Sequence, residues 1–401
     1  MLQVLTVEEA RLLLIQRAKR SMIGTQKRPL ADARGMVLAE TVLADADLPA
    51  FHRSAVDGYA VRAEDTFGAS AAMPALLRVI GEVRMGERAE ISLGAGECAA
   101  VWTGGELPPG ADAMVMLEDA QALPGGLVAV ECASAPGRNV VFRGDDAKRD
   151  NPLVSSGKRL GAREIGLLSA FGQTEVLVRL PPKVGVLSTG DELIDPSNAP
   201  QKGQIRDVNG PMLTAACLEA GAEARFLGRV ADDEDVLLRA VQSALETCDL
   251  LLLSGGSSAG AKDAAARTIE KLGHLLFHGL ALKPGKPTLA GEIGGKLVVC
   301  LPGHPAAAYL VFHTLVRPLM MALSGETYLE REVPARLTQA VSSNHGREEL
   351  LLVRLFADGS AEPIPAKSGL VSPLTQADGY AVIPRDTEGM PAGATVRVVL
   401  F

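Results

Sequence analysis

Five short loops in the middle of this 401-residue chain carry the residue types that handle charged ligands. They are Ser188-Thr189-Gly190-Asp191-Glu192, Asp232-Asp233, the run from Ser254 to Asp263, Lys283-Pro284-Gly285-Lys286-Pro287, and Leu301-Pro302-Gly303-His304-Pro305. Gly255, Gly256 and Gly260 let the backbone approach a ligand closely. A helix expected from about Asp263 would aim its N–H groups at an anion. Ser257 and Ser258 can donate to phosphate oxygens, while Lys283 and Lys286 bring point charges. Glu192, Asp232 and Asp263 would repel a phosphate unless a hard divalent cation intervenes. Mg²⁺ held by Asp232 and Asp263 is the expected solution. One such loop alone is more often a tight turn needing glycine. Five in succession point to a phosphate-bearing anionic ligand.

The elements that must position these loops follow from periodicity. From about residue 181, short apolar runs alternate with amphipathic ones. Strands are expected at Val184–Leu187, Phe226–Val230, Leu250–Leu253, Leu275–Leu282 and Leu297–Leu301. Helices are expected at Pro211–Ala220 (opened by Asn209), Val236–Leu245, Asp263–Leu272 and Ala306–Leu323. That alternation implies a mostly parallel sheet covered on both faces, with ligands beyond the carboxyl ends of its strands. The fold class expected is α/β plus β and multidomain: a central α/β sandwich, an inserted β-rich domain and a small C-terminal β-barrel-like domain. The expected boundaries are 1–47 with 133–180 for an elongated N-terminal linker domain, 48–132 for the insertion, 181–327 for the α/β domain and 328–401 for the C-terminal domain. Thr6 and Glu9 predict a capping box opening a first helix that runs to about Ile23.

Composition excludes several classes. A net charge of −8 argues against general affinity for nucleic acid or anionic membranes. With one tryptophan and 3% aromatics, the chain lacks stacking platforms for single-stranded nucleic acid. Five well-separated cysteines without a CxxC pair read as reduced thiols of a cytoplasmic protein. No signal peptide is evident, and no apolar run approaches the ~20 residues of a membrane span. Other motifs weaken on inspection. Gly94-Ala95-Gly96 precedes a strand and not the helix a dinucleotide fingerprint needs. His274 and His278 lie on a β-like run, about 13 Å apart at strand rise, too far to share a metal. Gly256–Gly260 matches the GxSxG nucleophile elbow, with His304 as a conceivable base. An elbow, however, starts its helix directly after the serine, whereas this helix is expected to start near Asp263.

Taken in order, the strings resemble the MoeA family of molybdopterin molybdenumtransferases. Ser54-Ala55-Val56-Asp57-Gly58-Tyr59-Ala60 is similar to the family's SxMDGYA, and Thr103-Gly104 with Leu107-Pro108 and Gly110-Ala111-Asp112 to its TGxxLPxGAD. Arg143-Gly144-Asp145-Asp146 and Ser188–Leu193 are similar to RGED and STGDEL, and the KPGKP and LPGxP loops follow. The resemblance implies a MogA-like α/β domain and a homodimer whose active site lies between this domain of one subunit and the inserted domain of the other. It implies insertion of molybdenum from molybdate into adenylylated molybdopterin with release of AMP, dependent on Mg²⁺, and the upstream molybdopterin adenylyltransferase as a partner. By motif, Asp57, Thr103, Asp146, Glu192, Asp232 and Asp263 would be catalytic. Ser188, Thr189, Gly190, Gly255, Gly256, Ser257, Ser258, Gly260, Lys283, Lys286, Pro302, His304 and Pro305 would bind substrate. The chain departs from the pattern at Val56, at Gly279 where a basic residue is usual, at His304 in place of asparagine, and at Ala307 in place of serine. Those departures keep a second reading open, an impaired paralogue acting as a molybdopterin-binding or scaffold protein.

Overall fold

The computed structural model describes residues 4–255, 259–327, 329–365 and 367–401, and only the backbone of 259–263. Two compact units divide the chain: Met1–Glu40 with Ser156–Gly161 and Glu175–Phe401, and Thr41–Ser155 with Ala162–Thr174.

The larger unit is organised by a six-stranded sheet. Its order is Glu223–Val230, Lys183–Thr189, Leu250–Gly255, Lys296–Leu301, Leu289–Ile293 and His274–His278. The first four strands pair in parallel, and the last two join antiparallel. Leu250-Leu251-Leu252-Leu253 shows how a continuous apolar run serves both faces, because successive side chains point opposite ways. Leu250 and Leu252 join a core with Leu213, Cys217, Leu310 and the N-terminal helix residue Leu14. Leu251 and Leu253 join a second core with Val241, Leu245 and Ile269. Helices therefore cover both faces, as the alternation predicts.

Differences from the expected elements have local causes. The first helix, Val7–Ala18, has the Thr6–Glu9 capping box but ends sooner, running into a 3₁₀ turn. The run expected as one strand over Leu275–Leu282 splits at Gly279, whose φ of +112° breaks the extended backbone. Its second piece, Leu282–Lys283, leaves the sheet and pairs with Glu348–Glu349 of the C-terminal domain. The Leu289–Ile293 strand, which the expected set lacks, lies between Lys296–Leu301 and His274–His278. Helix Ala259–Leu272 begins four residues before the expected Asp263. Among the described residues one helix, Pro305–Leu323, is long and apolar enough to cross a membrane, contrary to the reading that no run approached that length. It is 89% buried in its most apolar window, and its middle turn is a π-helix over Phe312–Val316.

Beyond it, the strands Glu332–Leu337, Glu348–Leu355, Ser360–Pro363, Gly379–Ile383 and Thr395–Leu400 close on one another as a small β-barrel. The smaller unit holds its own six-stranded sheet, ordered Ala113–Met116, Gly58–Val61, Glu97–Val101, Ala75–Val83, Leu127–Val130 and Ala120–Leu123. Cores form on both of its faces, around Val61, Cys98 and Val115 on one and Ala60, Ala99 and Met114 on the other.

Candidate active site

In the larger unit, the parallel register sets Thr189 beside Gly255 and Val230. Gly255 is required there: at φ +143°, a Cβ would lie 1.9 Å from the Thr189 carbonyl oxygen. The following loops bring three acids together. The Asp232 N–H donates to Asp191 Oδ1 at 3.1 Å, and a Cβ on Gly190 would lie 2.8 Å from Glu192 Oε2. Burial first, then the charges of Asp191 and Glu192, pushes Asp232 above the usual carboxylate range. Among the described residues, no group of three or more acids, histidines or cysteines is arranged to hold a metal ion.

Asn209 is not the helix cap that sequence reading made it. It is the first residue of the helix Asn209–Glu219, and Asp207 Oδ1 accepts from the Gly210 N–H at 3.0 Å in its stead. The Asn209 amide instead donates to Ser254 Oγ and to the Gly303 carbonyl, both at 2.8 Å. It thereby ties the end of one strand to the loop after another. Ser188 Oγ, Asp207 Oδ2 and Asn209 Oδ1 are buried here and unpaired within the described residues. Asp207 escaped sequence reasoning, and Asn209 and Ser254 entered it only as a helix opener and a loop residue, although an Asp and an Asn flanking a helix start directly after a strand-end loop were a usable signal.

Lys283, Lys286, Pro302 and His304 line a cavity of about 1080 Å³. Its opposite wall comes from the C-terminal domain, through Arg347, Glu349, Lys367 and Ser368, which no sequence pattern indicated. Lys283 Nζ lies 3.0 Å from both Glu349 oxygens, and His304 Nδ1 lies 2.7 Å from Ser368 Oγ. Ser188, Thr189, Gly190, Glu192, Asp232, Gly255 and Pro305 are not on this lining, and Pro305 instead opens the helix behind it. Carboxylates and lysines thus form two groups, and the Asn209 tie joins the Ser254 strand end to Gly303 on the cavity side. Gly256, Ser257, Ser258 and the Gly260 and Asp263 side-chain positions lie outside the described residues. The early start of the Ala259 helix removes the objection raised against a nucleophile elbow at Ser258. The His304 ring that such a mechanism would need is engaged with Ser368.

In the smaller unit, antiparallel pairing of Gly58 with Val101 carries Asp57 alongside the residues after Val101. Asp57 Oδ1 accepts from both the backbone N–H and the hydroxyl of Thr103, each at 2.7 Å. Those two bonds, the backbone one first, hold the Asp57 carboxyl below its usual range. Asp145 is spent locally, its carboxylate accepting from the Phe142 N–H at 2.7 Å, whereas the exposed Asp146 anchors only its backbone, to Leu48.

Residues 5–172 match the MoeA N-terminal region (domain I and II), 185–322 the probable molybdopterin binding domain, and 334–401 the MoeA C-terminal region (domain IV). The molybdopterin molybdenumtransferase of Bacillus subtilis is 33% identical over 93% of this chain and 89% of its own length. The chain belongs to the MoeA family. Molybdopterin molybdenumtransferase 2 of Mycobacterium tuberculosis is likewise 33% identical, over 92% of this chain and 93% of its own. The crystal structure of a molybdopterin biosynthesis MoeA protein from Pyrococcus horikoshii superposes with a TM-score of 0.87 at 33% identity, covering all of both chains.

Two departures from the MoeA pattern have a structural context. Gly279 occupies a backbone conformation that other residues adopt only under strain, and a Cβ there would meet the Val4 side chain at 3.2 Å. Val56 packs beside the core around Met114.

Proposed function

We propose that this MoeA-family enzyme of molybdenum cofactor biosynthesis inserts molybdenum from molybdate into adenylylated molybdopterin and releases AMP, with Mg²⁺ required. One observation carries the reading: the unit that holds a cavity lined by Lys283, Lys286, Arg347 and Lys367 also gathers Asp191, Glu192 and Asp232 on the strand-end loops of its sheet. The cations suit an anionic substrate and molybdate, and the acids suit a cation facing a pyrophosphate. Lys283, Lys286, Pro302 and His304 hold substrate, Ser188, Thr189, Gly190 and Gly255 shape the strand ends, and Pro305 presents the His304 loop. Glu192 and Asp232 serve the chemistry, joined by the Asp263 and Gly256–Gly260 loop. When bound at Asp232 and Asp263, Mg²⁺ would offset charge on the breaking pyrophosphate. Positioning and charge stabilisation suffice, without a covalent protein intermediate.

Asp57, Thr103 and Asp146 come from the smaller unit. We assign them to the site of the other subunit in a cytoplasmic homodimer, which receives its substrate from the adenylyltransferase. Residues 1–47 with 133–180, 48–132, 181–327 and 328–401 act as the four domains of each subunit.

Incubation with adenylylated molybdopterin, molybdate and Mg²⁺ is expected to release AMP. Asp232→Asn should lower that rate by about 10²–10³-fold, the cost of removing one electrostatic group from such a site. Tight substrate binding without AMP release by the unaltered chain would favour the scaffold reading.

A further inference from the structure

The cavity wall carries four cationic side chains, Lys283, Lys286, Arg347 and Lys367, and one carboxylate, Glu349. Glu349 is paired with Lys283 and also accepts from the Ser343 hydroxyl at 2.6 Å, so part of the positive charge is already offset. His304 completes the set. Its ring is exposed at the cavity, 2.7 Å from Ser368 Oγ, and the Ala306 N–H reinforces the junction by donating to the Ser368 carbonyl at 3.1 Å.

An imidazole and a hydroxyl can share a hydrogen bond in two senses. A neutral ring that carries its proton on Nε2 accepts at Nδ1, and the Ser368 hydrogen then points at His304. A protonated ring donates from Nδ1 to Ser368 Oγ, and the hydroxyl hydrogen turns to another acceptor. Of the side-chain types on this wall, imidazole is the one that changes charge near neutral pH. A dianion among four cations and one acid favours the extra positive charge.

We propose that anion binding in this cavity takes up one proton from solvent at His304 and reverses the His304–Ser368 hydrogen bond. The ring then contributes a charge and Ser368 an O–H donor to the bound anion. This inference rests on the reading of the cavity as an anion site.

Sulfate and molybdate stay dianionic across neutral pH, so their binding reports protein protons alone. Titration calorimetry of the full chain with each, in buffers of different ionisation heat, measures proton uptake directly. Sulfate affinity is expected to rise about threefold to tenfold from pH 8 to pH 6, within the limit of tenfold per pH unit for one proton. Uptake near pH 7 should be a sizeable fraction of one proton per anion. His304→Asn should remove both the uptake and the pH dependence, and His304→Ala should do the same if the asparagine perturbs the loop. Ser368→Ala should keep the uptake but bind several-fold more weakly. Binding with no uptake and the same pH profile as His304→Asn would overturn this inference alone. No binding of either dianion at any pH would overturn the anion-site reading beneath it.

Discussion

Asp57 and Thr103 show what a single pair of side chains can be asked to do. Two bonds from Thr103 hold the Asp57 carboxylate charged, and at most one of them requires the hydroxyl. Thr103→Val should therefore raise Asp57 part of the way back to the ordinary carboxylate range, read by NMR titration of its carboxyl carbon. AMP release should fall by about tenfold if that orientation matters to the reaction. The sign for stability follows: a depressed carboxyl contributes above its unfolded pKa, and its contribution is lost as pH falls through the folded value. An Asp57 titration unmoved in Thr103→Val would show that the hydroxyl does not act on it. The types of these residues were legible in sequence. The bonds between them were not, because they depend on the Gly58–Val101 register.

At the scale of elements, glycine placement and helix irregularity carry the site's geometry. Gly255→Ala would drive a methyl group into the Thr189 carbonyl at a positive φ, and should destabilise the chain by about 2–4 kcal/mol in denaturant unfolding. Gly203→Ala, also at positive φ but with nothing within 4 Å, should cost only about 1 kcal/mol. Equal effects would mean that close strand approach plays no part. The helix Pro305–Leu323 offers a second test. His313 sits in its π-helical turn against Tyr309 and Phe401, with ring centroids 4.6 and 4.9 Å away. Burial, and then Arg317, pushes its pKa down from 6.5 to about 3. A depressed histidine stabilises fully above 6.5 and loses that contribution as pH falls towards 3, because the unfolded ring takes a proton that the folded one refuses. His313→Gln should flatten the decline of Tm over that window, and an unchanged slope would place the acid sensitivity elsewhere.

At the scale of the whole molecule, the proposed dimer makes a quantitative claim. If Asp57 of one subunit serves the Asp232 site of its partner, Asp57→Asn and Asp232→Asn chains should complement when mixed and allowed to exchange. Random pairing makes half the dimers mixed, each with one intact site, so about a quarter of unaltered activity should return. No recovery, or a mass of 41.9 kDa in sedimentation, would sink the shared site. The sequence alone determined the alternating strands and helices, the capping box at Thr6 and the loops that bear glycines, acids and lysines. Those features depend on side-chain periodicity and on backbone preferences spanning a few residues. The tertiary structure decided that Lys283 meets Glu349 across 66 residues and His304 meets Ser368 across 64. It also turned Asn209 from a cap into a tie between two loops. Such contacts follow from which faces pack together, and nothing local to either partner encodes them.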